Sequence, residues 1–167
     1  MTTGRTREEA PLREFEDFAA ESRPRLQRAL VARYGVEIGA EATADAIAYA
    51  WEHWDRVGAM DNAIGYLWRV AQTSVRRHHR WSRRATFPAE RLGADASTTT
   101  EMTNLDADTL PRGLAELKPD VRVALLLVHG YDWSYAEVAT LLDVPVSTVR
   151  NHVHRGLQRL RRSLEES

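Results

Sequence analysis

No cysteine occurs among the 167 residues of this chain. Disulfide frames, thiolate metal sites and cysteine nucleophiles are therefore excluded. Lysine occurs once, at Lys118, so 22 of the 23 basic residues are arginine, the side chain suited to bidentate contact with phosphate or guanine. No apolar run approaches the roughly 18 residues of a membrane span. Met1–Glu9 is polar where a secretory signal would carry an apolar core. A soluble, cytoplasmic protein without membrane insertion is expected. His78 and His79 are adjacent, and His152 and His154 lie two apart, spacings that place neither pair on one helical face. With no His-Glu-x-x-His motif, phosphate loop or nucleophile triad, the chain is expected to hold no metal or cofactor and to catalyse nothing. No segment alternates with the period of two that a half-buried strand requires. A basic excess is also lacking: 23 bases against 24 acids give a net charge of −1.

The charges that are present are segregated. No acid falls between Asp61 and Glu90, a stretch that holds Arg69, Arg76, Arg77, Arg80, Arg83 and Arg84. None falls between Asp143 and Glu165, where Arg150, Arg155, Arg159, Arg161 and Arg162 lie. A near-neutral total thus conceals two local cationic surfaces, and a nucleic acid responds to the local potential within a Debye length.

The second basic stretch carries a recognisable pattern. Ser134 and Glu137 have the spacing of a capping box, which starts a helix with Val138, Leu141 and Leu142 on its apolar side. Asp143 stands at the turn, where aspartate tolerates left-handed backbone. Pro145 fits the first turn of a following helix, which buries Val149, Val153, Leu157, Leu160 and Leu164. Its opposite face shows Ser147, Arg150, Asn151, His154, Arg155, Gln158 and Arg161, side chains that can reach base edges and phosphates in a major groove. The pattern is a DNA-binding helix-turn-helix.

Elsewhere the periodicity is also helical. A helix is expected over 12–34, with Pro24 marking a kink or restart, and 35–39 breaks the pattern. Ile47, Ala50, Trp51 and Trp54 give a helix over 40–56 a single apolar face. After a loop at 57–62, which Asp61 or Asn62 ends as a cap, another helix runs over 63–84 and buries Leu67, Ala71 and Val75. Residues 85–108, with Pro88, Gly93, Ser97 and Thr98-Thr99-Thr100, read as a linker. Beyond it lie 110–117 and a helix opened by Pro119 and stopped at Gly130. The expected fold is all-α: two small helical domains, 12–84 and 109–164, joined by a flexible linker, 85–108, with the helix-turn-helix in the second. Such a linker as a coil spans roughly 25–30 Å, about one duplex turn of 34 Å. It is too loose to align the two basic helices unaided.

The order of these parts resembles a bacterial RNA polymerase sigma factor of the sigma-70 family, in the extracytoplasmic-function group. The likeness rests on Leu110-Pro-Arg-Gly-Leu-Ala-Glu-Leu-Lys-Pro and Leu141-Leu-Asp-Val-Pro-Val-Ser-Thr-Val-Arg-Asn-His-Val-His-Arg-Gly-Leu in one half. In the other it rests on Ala50-Trp-Glu-His-Trp-Asp-Arg-Val and Asn62-Ala-Ile-Gly-Tyr-Leu-Trp-Arg-Val-Ala. The resemblance implies binding to core RNA polymerase and promoter DNA, and the family often has an inhibitory anti-sigma partner. It places Ser147, Thr148, Arg150, Asn151, His154, Arg155 and Gln158 at the promoter −35 element. It places Val57, Asn62, Tyr66, Trp68, Arg69, Thr73, Arg76, Arg77 and Arg80 at the −10 element, with Trp81 as further stacking surface. Polymerase docking falls to Glu41, Ala44, Asp45, Ala48 and Trp51, although core packing is the ordinary role of Trp51 and Trp54. The chain departs from the family pattern at Ala44 in place of a docking glutamine, at Thr73 in place of an asparagine, at Val57 in place of an aromatic and at Asp143 in place of the turn glycine. A DNA-binding regulator that no longer engages polymerase, and a module whose basic helices dock an acidic partner, stand as alternatives.

Overall fold

The computed structural model describes residues 5–79 and 109–165, with side chains for 11–77 and 110–165. Helix α1 (Arg5–Tyr34) runs through Pro11 and Pro24 without interruption. Leu26, Ala29, Leu30 and Ala32 on its second half are buried. It ends at Gly35, whose φ of 86° is open to glycine without steric cost. Helix α2 (Val36–Glu52) follows at once, so the expected break over 35–39 shrinks to one residue. Gly39 lies inside α2 because the two helices cross there: a methyl group at this position would sit 2.6 Å from the Val31 backbone nitrogen. A short turn, α3 (Trp54–Val57), is set off from α2 at His53, dividing the helix expected over 40–56. Asn62, rather than Asp61, caps the next helix, its Oδ1 accepting from the Gly65 amide at 3.0 Å. Helix α4 (Ala63–His79) is then described as far as residue 79. Residues 80–84 of the expected helix, the whole expected linker, Arg80 and Trp81 lie outside the described residues. Leu67, Ala71 and Val75 close the first core against α1 and α2.

Helices α5 (Thr109–Glu116), α6 (Pro119–Leu125), α7 (Tyr135–Leu142) and α8 (Val146–Glu165) form the second half. A π-helical turn, Leu126–Gly130, extends α6. The capping box that opens α7 is complete: Ser134 Oγ accepts from the Glu137 amide, and Glu137 Oε2 accepts from the Ser134 amide at 2.8 Å. Asp143 takes the left-handed conformation, φ 55° and ψ 48°, and Pro145 precedes α8 by one residue. Gly156 lets α8 approach α6, since a methyl there would lie 3.2 Å from Val121 Cγ1.

The two halves touch, α1 against α6 and α4 against α7. At the centre is Arg122, 3% exposed. Its Nε donates to the Ala32 carbonyl at 2.9 Å and its Nη2 to the Arg33 carbonyl at 2.8 Å. Its Nη1 faces the carbonyls of Ala115 and Leu117, each at 3.3 Å. These are the unpaired last carbonyls of α1 and α5, the negative ends of two helix dipoles, so one guanidinium caps both helices across the junction. Around it Arg33 pairs with Asp120, and Arg25 lies over the Trp133 ring at 4.8 Å.

Candidate nucleic-acid interface

Helix α8 separates its faces cleanly. Val149, Val153, Gly156 and Leu160 are buried, while Ser147, Arg150, Asn151, His154, Arg155, Gln158 and Arg161 are exposed. Thr148 is half-buried at the first turn. His154 Nε2 lies 3.0 Å from Gln158 Nε2, and the Arg150 guanidinium sits 5.9 Å from the Tyr135 ring on α7. Arg150 and Asn151 therefore project from the first two turns, and His154 and Arg155 from the third, of a helix whose opposite side is anchored in the core. This is the geometry of a helix presented to a groove.

On α2 the five expected docking positions, Glu41, Ala44, Asp45, Ala48 and Trp51, are all exposed and recur at helical spacing. Trp51 is 47% exposed. It is not the core residue that its share of the apolar pattern suggested; its ring rests on Phe15 at 5.0 Å while Trp54 turns inward against Phe18. Asp45 accepts from Ser74 Oγ at 3.1 Å, tying this face to α4.

The positions expected at the −10 element divide. Tyr66, Arg69, Thr73, Arg76 and Arg77 lie along one outward stripe of α4, half-buried at Tyr66 and exposed beyond it. Val57 is wholly buried and Trp68 is 3% exposed. Neither offers a surface to a base: Val57 closes the core under the 58–62 loop, and Trp68 packs beneath the Arg33 guanidinium at 5.9 Å. Asn62 and Arg69 are exposed in part but engaged. Asn62 Nδ2 donates to the Thr140 carbonyl at 2.8 Å, and Arg69 Nη1 meets Asp143 Oδ2 at 2.7 Å. Thr73 donates back to the Arg69 carbonyl at 3.0 Å.

Sequence reasoning missed a cluster at the head of this stripe. The hydroxyls of Tyr49 and Tyr66 lie 3.0 Å apart, Arg56 Nη2 donates to both, and His53 stacks on Tyr49 at 4.1 Å. The Tyr49 hydrogen bond, and secondarily burial, raise the Tyr66 phenol above its ordinary value, so it is neutral at physiological pH. The signal was weak, because Tyr49 and Tyr66 are 17 residues apart on different helices. Arg122 was missed for another reason. Val121, Ala124, Leu125 and Val128 recur in the sequence at the spacing of one apolar helical face, but Val123 and Leu127 are buried as well, so the helix is enclosed nearly all round. Burial, and then the neighbouring Arg33, push Arg122 down to about 10, which leaves it charged at neutral pH.

An RNA polymerase sigma-E factor of Streptomyces avermitilis is 30% identical over 165 residues, spanning 96% of this chain and 82% of the relative. The chain belongs to the sigma-70 family, in the extracytoplasmic-function group. The family described as Sigma-70, region 4 matches residues 108–160, which include α5 to α7 and most of α8. An extracytoplasmic-function sigma factor of Mycobacterium tuberculosis, SigL, is 28% identical over 123 residues, covering 70% of this chain and 69% of its own. Among solved structures, the sigma factor RpoE of Bartonella quintana, crystallised with the anti-sigma factor NepR, superposes with a TM-score of 0.58 at 18% identity. That match covers 90% of this chain and 96% of the other, and it supports the all-α fold. Among the described residues no helix is long and apolar enough to cross a membrane, and no three metal-ligating side chains gather.

Proposed function

We propose that this sigma factor docks on core RNA polymerase through α2 and directs it to promoters, reading the −35 duplex with α8 and the −10 element with the α4 stripe. The observation that carries the reading is α8, where every expected −35 side chain except the half-buried Thr148 is exposed opposite a buried apolar side. The N-terminal unit, 12–84, takes polymerase and the −10 element; 85–108 is the tether; 109–164 takes the −35 element. Arg150 suits guanine and Asn151 suits adenine, and Ser147, Thr148, His154, Arg155 and Gln158 surround them. Arg69, Arg76, Arg77 and Arg80 hold phosphates, while Asn62, Tyr66 and Thr73 line the path of unpaired bases. Tyr49, His53 and Arg56 extend this surface with rings and a cation, a combination suited to stacking. Val57 and Trp68 support the surface from beneath. Glu41, Ala44, Asp45, Ala48 and Trp51 form the polymerase contact. The protein works in the cytoplasm without cofactor or catalysis of its own, and an anti-sigma factor is a further partner.

Reconstitution with core polymerase tests this reading. Co-elution, followed by run-off transcription from a cognate promoter that fails without the chain, is the expected result. Duplex binding without co-elution would replace it with a regulator that does not engage polymerase, the reading that Ala44 favours.

A further inference from the structure

The outward face of α8 carries a side-chain contact along its own length. Gln158 Nε2 lies 3.0 Å from His154 Nε2, one helical turn back. Both side chains are exposed on the face that shows Ser147, Arg150 and Asn151. An amide nitrogen only donates, so the imidazole nitrogen that meets it must be the one without a proton. The ring is therefore neutral, and its single proton sits on Nδ1. An unpartnered neutral imidazole carries its proton on either nitrogen, whereas here the partner decides. With Nε2 taken up by Gln158, His154 has an N–H left to offer and no lone pair. Reach separates the two residues further. His154 lies about 10 Å along α8 from Ser147 and Gln158 about 16 Å, and a helix laid in a major groove reads bases with its N-terminal turns. His154 is thus the nearer to a base edge, and Gln158 stands behind it.

We propose that Gln158 is a positioning residue for −35 recognition: it holds His154 in the Nδ1–H form, so that His154 donates to a base-edge acceptor and rejects cytosine at one position. The inference rests on the −35 role proposed for α8 and gives the two residues different tasks within it. A lone donor is selective in the major groove. Guanine offers N7 and O6 as acceptors, adenine N7 and thymine O4, whereas cytosine presents only its N4 amino donor. With cytosine there, two donors would face each other, each stripped of water and without an acceptor. A histidine free to change tautomer would escape that conflict by turning a lone pair to the amino group, and Gln158 removes the escape.

Two measurements on the full-length chain test this. Long-range proton–nitrogen NMR spectra at about pH 8, where histidine is ordinarily neutral, report which imidazole nitrogen carries the proton, and loss of signals in His154→Leu assigns them. The Nδ1–H form is expected in the parent chain and in Gln158→Lys, which keeps a donor. Gln158→Met, similar in reach but without a donor, is expected to give a mixture of both forms. The Nε2–H form in the parent chain would overturn the proposal. The second measurement is competition among duplexes selected from a randomised library and then varied base by base. Cytosine at one position should bind about five- to tenfold more weakly than the other bases. Gln158→Met and His154→Leu should relax that same position, Gln158→Lys should restore it, and the double variant should be no worse than His154→Leu alone. A further loss in the double variant, or relaxation at a second position, would make Gln158 a base reader and overturn its positioning role. Arg150→Ala, outside the pair, tests the underlying assignment separately. It should shift preference at a different position, and no effect there would remove the −35 role of α8 itself.

Discussion

At the scale of single residues, the chain places its charges to different ends. Arg122 is surrounded by carbonyls at the ends of two helices, and its removal leaves those buried carbonyls without their donor. Arg122→Met, similar in reach and apolar, should therefore lower stability by about 3 kcal/mol, read as a reduced urea midpoint of the full chain. Lysine should rescue little, because an ammonium cannot fork between the Ala32 and Arg33 carbonyls. Glu137 has its carboxyl held below the ordinary range, first by the Ser134 amide and then by the Ser134 hydroxyl. A depressed folded value means that its contribution is complete above the unfolded carboxylate value and disappears as pH falls through the folded one. Thermal melts of Glu137→Gln and the parent should accordingly differ at neutral pH and converge in acid. Trp51 belongs to the opposite class, exposed and costly to leave so. Trp51→Ala should barely move the melting temperature yet weaken core-polymerase binding about tenfold or more, as expected for an aromatic anchor at an interface.

At the scale of elements, apolar spacing and capping chemistry were enough to locate α7 and α8, down to the capping box at Ser134 and the left-handed Asp143. Those signals are local and lie within a few residues of one another. Gly39 shows where local reading stops. A glycine that admits a neighbouring backbone has the same sequence appearance as one that ends a helix, and only the crossing of α1 tells them apart. Gly39→Ala should then cost about 1–3 kcal/mol through overpacking at that crossing, visible in thermal denaturation, although alanine is the better helix former. Val57 and Trp68 went astray in a related way. Their positions in the family pattern implied a place on the −10 surface, but Trp68 lies off the Tyr66, Arg69 and Thr73 stripe of α4 and Val57 closes α3, and both side chains are buried. On α8, Arg150→Ala and Asn151→Ala should each cost about 1–3 kcal/mol of discrimination at one base position, measured by competition among −35 duplex variants.

At the scale of the whole molecule, a net charge of −1 says little about DNA affinity because the arginines are concentrated. If Arg155 and Arg161 neutralise phosphates, duplex affinity should fall with salt at a log–log slope of roughly −2, and each alanine replacement of a backbone-contacting arginine should reduce that slope by about one. The docking of the halves was the part least legible in advance. Arg122 and Ala32 are 90 residues apart, and Arg69 and Asp143 are 74 apart, so no window of sequence contains the pair. Composition predicted a loose linker over 85–108, which lies outside the described residues, and gave no sign of the contacts at Arg122 that hold the described halves together.

Trp133 and Trp68 lie at that junction, nearly buried, each beneath an arginine of α1: Arg25 at 4.8 Å from one ring and Arg33 at 5.9 Å from the other. Separation of the halves would withdraw both cations and admit water to the two indoles. The chain thereby contains its own optical gauge. A red shift in native tryptophan emission would report such a separation in the chain alone, with no dye attached.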